Sequence, residues 1–232
     1  MAFSRKDFEN GAALAEGLAA RVAGALSEAI AARGTASIAV SGGSTPKAFF
    51  KVLSEKDIAW DEVTITLVDE RFVPADNARS NHKLASEFLL INKAAAARFV
   101  PLYHAADTAE AAAVIATQAT ASLSNPFDVA ILGMGSDGHT ASFFPGGNHL
   151  AEALDANRPR GILTMEAEGA GEPRLTFSFS ALQDARLLAL HIEGAEKASV
   201  LEKALSGKDE AEMPIRAVLN RATSPVEIYW AP

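Results

Sequence analysis

Apolar residues first recur along this chain at a four-residue interval. Leu14, Leu18, Val22, Leu26 and Ile30 fall on one stripe, the spacing of an amphipathic helix. Gly34 stands where such a helix would stop, so residues 1–36 read as one helix. Short apolar runs then alternate with helical patterns. The runs are "SIAV" (37–40), "VTITLV" (63–68), "RFVPL" (98–102) and "FDVAIL" (127–132), then "GILTM" (161–165), "RLTFSF" (174–179), "RLLALHI" (186–192) and "VEIYW" (226–230). The helix candidates between them are 46–55, 81–92, 108–123, 195–205 and 215–220. Alternation of this kind predicts an α/β fold with a mostly parallel sheet covered on both faces. "EAEGAGEPR" (166–174) reads as an exposed turn joining two adjacent strands. No repeat, low-complexity tract or linker interrupts the pattern, so residues 1–232 are expected to form a single domain.

In parallel sheets ligands bind at the carboxyl ends of strands, which directs attention to three loops. The first is "SGGSTP" after 37–40. Gly42 and Gly43 let the backbone turn tightly and approach a ligand. Ser44 or Thr45 can cap the next helix and Pro46 suits its first turn. Its free N–H groups would suit a phosphate, though an ordinary capped turn would look the same. The second is "VDERFVP" (68–74), where Asp69, Glu70 and Arg71 follow a buried run directly. A solvated loop holding an Asp–Arg pair is the alternative there. The third is "GMGSDGHTASFFPGG" (133–147). Gly133, Gly135 and Gly138 formally match a dinucleotide fingerprint, but Pro145, Gly146 and Gly147 leave no room for the long helix that motif opens. A better reading is a glycine loop that projects Asp137 and His139 into a cleft. Imidazole can take a proton from water near neutrality, and a carboxylate two residues away could orient it. His82, His104, His149 and His191 have no such setting and read as structural or exposed. A metal site from Asp137, His139 and His149 matches no usual ligand spacing, and none is expected. Arg174 opens a strand. Lys197 falls in the first turn of a helix, where a bound anion would offset its conflict with the helix dipole.

Composition narrows the partners. Lys and Arg number 21 against 29 Asp and Glu, so the formal charge is −8. That balance disfavours sequence-blind binding to nucleic acid, and an anionic substrate must be held by local charge against the global field. The absence of Cys removes disulfides, thiol nucleophiles and thiolate-ligated zinc. Charges at Arg5, Lys6, Asp7, Glu9 and Glu16 break up any signal-peptide core, and no apolar run approaches a membrane span. A soluble protein of the cytoplasm is expected, with no membrane or nucleic-acid partner.

Together, "SGGSTP", "DERFVP" followed by Ser80 and Asn81, and "GMGSDGHTASFFPG" resemble the 6-phosphogluconolactonase family, in order and each at the end of an expected strand. "RLTFSFSAL" (174–182) and "GAEK" (194–197) match that family's later segments. The resemblance implies a three-layer α/β/α, Rossmann-like fold shared with glucosamine-6-phosphate isomerases and deaminases. The similar deaminases carry an Asn-Glu pair where this chain has Phe143 and Phe144, and Tyr or a similar residue where it has Arg71. A phenyl ring cannot shuttle a proton, so both departures favour the lactonase. The implied reaction is hydrolysis of 6-phospho-D-glucono-1,5-lactone in the pentose phosphate pathway. In it, His139 is the general base, Asp137 or Asp69 orients the ring or water, and Arg71 binds substrate or the oxyanion. The 6-phosphate would rest on Ser41, Gly42, Gly43, Ser44 and Thr45, with Arg174 and Lys197 as counter-charges. The Phe-Phe-Pro turn would wall the cleft. No metal or organic cofactor is implied, and the chain is expected as a monomer or small homo-oligomer. The alternatives are a sugar-phosphate isomerase or deaminase, or a non-catalytic sugar-phosphate sensor on the same fold.

Overall fold

The computed structural model describes residues 3–232. The chain begins with strand β1 (Phe3–Asp7), helix α1 (Gly11–Arg33), β2 (Ala36–Val40) and α2 (Lys47–Ser54). It continues through β3 (Val63–Leu67), β4 (Asp69–Arg71), α3 (Asn81–Phe88), β5 (Arg98–Val100), α4 (Ala109–Thr120) and β6 (Val129–Leu132). Next come α5 (Leu150–Ala153), β7 (Ile162–Met165), β8 (Arg174–Phe177) and α6 (Phe179–Leu182). It closes with β9 (Leu187–Glu193), α7 (Ala195–Ser206), α8 (Ile215–Arg221) and β10 (Val226–Ala231).

Seven strands form one parallel sheet in the order β1-β10-β9-β6-β2-β3-β5, with helices on its faces. Every residue of β2 and β6 is buried, which is why these strands read as continuous apolar runs rather than alternations. From β2 the chain works outward through β3 to β5. From β6 it works the other way through β9 to β10. The loops after β2 and β6 therefore part company at the centre of the sheet. A crevice opens between them at the strands' carboxyl ends, the place where such folds bind ligands.

The structure departs from the sequence pattern at the N-terminus and in a second sheet. The helix expected over 1–36 is preceded by β1, an edge strand paired only with β10 and mostly exposed. Its sequence has no buried face and so no periodicity; residues 1–2 lie outside the described chain. Helix α1 itself is well marked. The Asn10 side chain accepts the Ala13 N–H at 2.9 Å, and Gly34, at φ 78°, donates its N–H to the Ile30 carbonyl. The strands expected at 161–165 and 174–179 do not join the parallel sheet. They form a separate antiparallel sheet in the order β4-β8-β7. The connection between them is too short for a parallel crossover. A single residue separates β3 from β4, Val68, whose N–H bonds the Val40 carbonyl at 2.9 Å while its carbonyl accepts the Phe177 N–H at 3.1 Å. That residue hinges one sheet to the other and sets Asp69 and Arg71 at the crevice.

Candidate active site

The crevice is lined by Ser41 to Pro46 after β2, by Asp69 and Arg71 of β4 and Arg174 of β8, by Gly135 and His139 after β6, and by Lys197 of α7. Every candidate site residue except Asp137 thus faces one cleft.

His139 owes its position to local chemistry. A Cβ on Gly135 would lie 2.1 Å from the ring Nδ1, so only glycine leaves room for the imidazole to fold back over its own loop. Gly138 takes φ +79°, the left-handed conformation that favours glycine. The Asp137 Oδ1 accepts the His139 backbone N–H at 3.0 Å and sits 2.6 Å from the ring Nδ1. A carboxylate there fixes the tautomer with the proton on Nδ1 and leaves Nε2 free to accept one. Burial alone would push the Asp137 carboxyl up; the hydrogen bonds and charge of His139 outweigh it and hold the group below its ordinary range.

No long helix follows. The chain turns sharply between Thr140 and Phe143, with Ala141 at φ +50°, and α5 comes seven residues later than the turn's end. Phe143 and Phe144 are buried and do not line the cleft; Ala141 does. The aromatic pair therefore stands behind the loop that carries His139 rather than forming the apolar wall expected from the sequence.

The same cleft also carries positive charge. Arg71 and Arg174 are direct cross-strand partners in β4 and β8, a like-charge pairing that costs stability unless an anion joins it. The Nε groups of both are buried without a partner. Arg71 is held by the Arg79 carbonyl and by Asn81 Oδ1 at 3.2 Å. Arg174 lies 3.9 Å from Asp69, and burial pulls its pKa down, with Asp69 opposing. Asp69 accepts the Ser142 hydroxyl at 2.5 Å.

At the glycine loop, the Ser41 N–H is taken by the Ile131 carbonyl, and its hydroxyl ties Ile131 to the Gly133 N–H. Ser41 thus braces the two loops together. Helix α2 starts at Lys47 with no side-chain cap from Ser44 or Thr45, so the capping bond expected there is not made and the helix N-terminus stays open. Lys197 stands half-buried in the first turn of α7.

Four residues of the cleft and its support went unread from sequence chemistry. Glu70 is fully buried and accepts four hydrogen bonds, from the N–H groups of Arg71, Asn81 and His82 and from the Ser80 hydroxyl. Burial pushes its carboxyl up, yet all four donors require an acceptor, so the network is built for the ionised form. Asn81 fills the space a Cβ on Gly42 would need and donates to the Asp69 carbonyl at 2.8 Å. Ser142 and His191 complete the set. His191 lines the cleft with its Nε2 2.9 Å from Glu193 Oε1, whereas the sequence offered only an apolar strand around it. Among the described residues no group of three or more His, Cys, Asp or Glu side chains converges to hold a metal. His149 instead bonds the Thr164 carbonyl, in a different cavity.

Comparison with known proteins identifies the family. Residues 9–230 match the model of the family described as glucosamine-6-phosphate isomerases/6-phosphogluconolactonase. A 6-phosphogluconolactonase of Rhizobium meliloti is 68% identical over 225 residues, covering 97% of each chain. One of Mesorhizobium japonicum is 55% identical over 94% of this chain and 91% of its own. The crystal structure of a 6-phosphogluconolactonase from Shewanella baltica superposes with a TM-score of 0.96 at 43% identity, covering 99% of this chain and 98% of that one.

Proposed function

Because the chain belongs to the glucosamine-6-phosphate isomerase/6-phosphogluconolactonase family, we propose that it hydrolyses 6-phospho-D-glucono-1,5-lactone to 6-phosphogluconate by general-base activation of water. The observation that carries this reading is the 2.6 Å contact between Asp137 and the Nδ1 of His139, on a ring that lines the same open cleft as Arg71 and Arg174.

His139 Nε2 accepts a proton as water attacks the lactone C1 carbonyl. Asp137 holds the Nδ1–H and stabilises the imidazolium that forms. Negative charge develops on the carbonyl oxygen, where the guanidinium groups of Arg71 and Arg174, both lining the cleft, can meet it. As the tetrahedral intermediate collapses, the C1–ring-oxygen bond breaks and Nε2 returns its proton to that oxygen. The 6-phosphate lies on the open N–H groups of the glycine loop and α2, with Lys197 as counter-charge. The cleft holds a cavity of about 250 Å³ that opens to solvent. A lactone is already electrophilic, so positioning and proton transfer suffice. A deaminase would need a proton carrier where Phe143 and Phe144 stand, and both are buried hydrocarbon.

Purified protein should accelerate loss of the 1,5-lactone above its spontaneous rate, followed by NMR, and leave glucosamine 6-phosphate unchanged over the same hours. Release of ammonia from glucosamine 6-phosphate with no effect on the lactone would overturn the reading.

A further inference from the structure

The mechanism leaves one feature of the catalytic loop unused. The Phe144 ring packs against the His139 imidazole with centroids 4.3 Å apart and planes 31° from parallel. The same ring carries the Arg174 guanidinium 5.3 Å from its centroid. Phe144 is 3% exposed and outside the cleft lining, so it does not touch substrate. It reaches the imidazole only because the chain doubles back at Thr140–Phe143, a turn that holds Ala141 at φ +50°. A non-glycine residue in that conformation costs on the order of 1 kcal/mol or more. A loop that needed only to turn would place glycine there.

We infer that Phe144 is a positioning residue for His139, a flat aromatic support that fixes the ring's tilt and steadies the imidazolium formed during attack. The geometry divides the work. Asp137 grips the ring edge at Nδ1, which sets its direction but leaves it free to rock about that bond. Phe144 supports a ring face and removes the rocking. Nε2 is then the only nitrogen left toward the cleft. When the imidazole gains its proton, the π-face of Phe144 attracts the new charge. That attraction is stronger in the transition state than before it, so it acts on kcat rather than on binding. By contacting Arg174 as well, the ring holds the base and an oxyanion donor against one rigid body.

This inference rests on His139 being the base, and the test separates the two claims. Phe144→Leu and Phe144→Met keep an apolar side chain but lose the flat face. Lactone hydrolysis is measured for both in the wild-type and His139→Ala backgrounds, with thermal melts to establish the folded fraction. In the wild-type background kcat is expected to fall roughly 3- to 30-fold in both variants, the range of a cation–π contact expressed as rate, with KM changed less than about twofold. In the His139→Ala background the same substitutions should cost at most the smaller part that acts through Arg174, because the imidazole they act through is gone. Full activity of Phe144→Met would reduce Phe144 to a volume filler and overturn the inference. An equal loss in both backgrounds would overturn it too. If His139→Ala alone retains the wild-type rate, the base assignment fails first, and the inference fails with it.

Discussion

The 2.1 Å that a Cβ on Gly135 would leave to the His139 ring shows how tightly the site is specified by single residues. One glycine admits the imidazole, Asp137 selects its tautomer, and Ser41 staples this loop to the glycine loop after β2 through Ile131 and Gly133. Asp137→Asn keeps the size and loses the charge, so Nδ1 no longer has a partner that favours its proton. We expect kcat to fall roughly 10²–10⁴-fold with little change in KM. The same variant carries a pH signature. The folded-state pKa of Asp137 is depressed, so its contribution to stability is present above the ordinary carboxylate value of about 3.9 and is lost as pH falls through the folded value. Urea melts of wild type and variant should differ at neutral pH and converge as the pH drops below about 4; a gap that stays constant contradicts the pairing. Asp137 and His139 were legible in the sequence because both sit on one short loop. Their neighbours from other segments were not. Ser142 on Asp69 and Phe144 under His139 depend on a turn with positive φ at an alanine, which no residue type announces.

At the scale of elements, most strands and helices followed from periodicity, since a parallel sheet buried on both faces writes itself as apolar runs. The exceptions are instructive. Strand β1 hides because an edge strand has no buried face to mark. Strand β4 hides because its residues, Asp69, Glu70 and Arg71, are charged and yet turned inward. What holds them is the Glu70 carboxylate, which accepts N–H groups from both β4 and the first turn of α3 where the helix dipole favours an anion. Glu70 thereby fastens α3 to β4 and, through Asn81, locates Arg71. Glu70→Gln replaces one acceptor oxygen by an amide facing N–H donors. It should cost about 1–3 kcal/mol, the price of a buried donor left unpaired, read as a lower urea midpoint at unchanged m-value. An unchanged midpoint would show that this carboxylate is dispensable to the junction.

For the whole molecule, charge and topology pull the substrate in different directions. The net charge of −8 repels a sugar phosphate at long range, while Arg71, Arg174 and Lys197 concentrate the opposite sign in the cleft. They come from three distant segments, brought together at the carboxyl ends of the parallel strands by the pairing of β4 with β8 beside them and by the start of α7 after β9. Sequence showed each cation on its own; only the second sheet reveals that Arg71 and Arg174 stand directly opposite each other. The central claim is that this cleft hydrolyses the lactone with His139 as its base. The most direct measurement is NMR decay of 6-phosphogluconolactone with no protein, with wild type and with His139→Ala. Wild type should accelerate loss of the 1,5-lactone, and His139→Ala should forfeit roughly 10²–10⁴-fold of that acceleration. Equal acceleration by both proteins would remove His139 from the proton transfer and turn attention to Asp69; no acceleration by either would contradict the account as a whole.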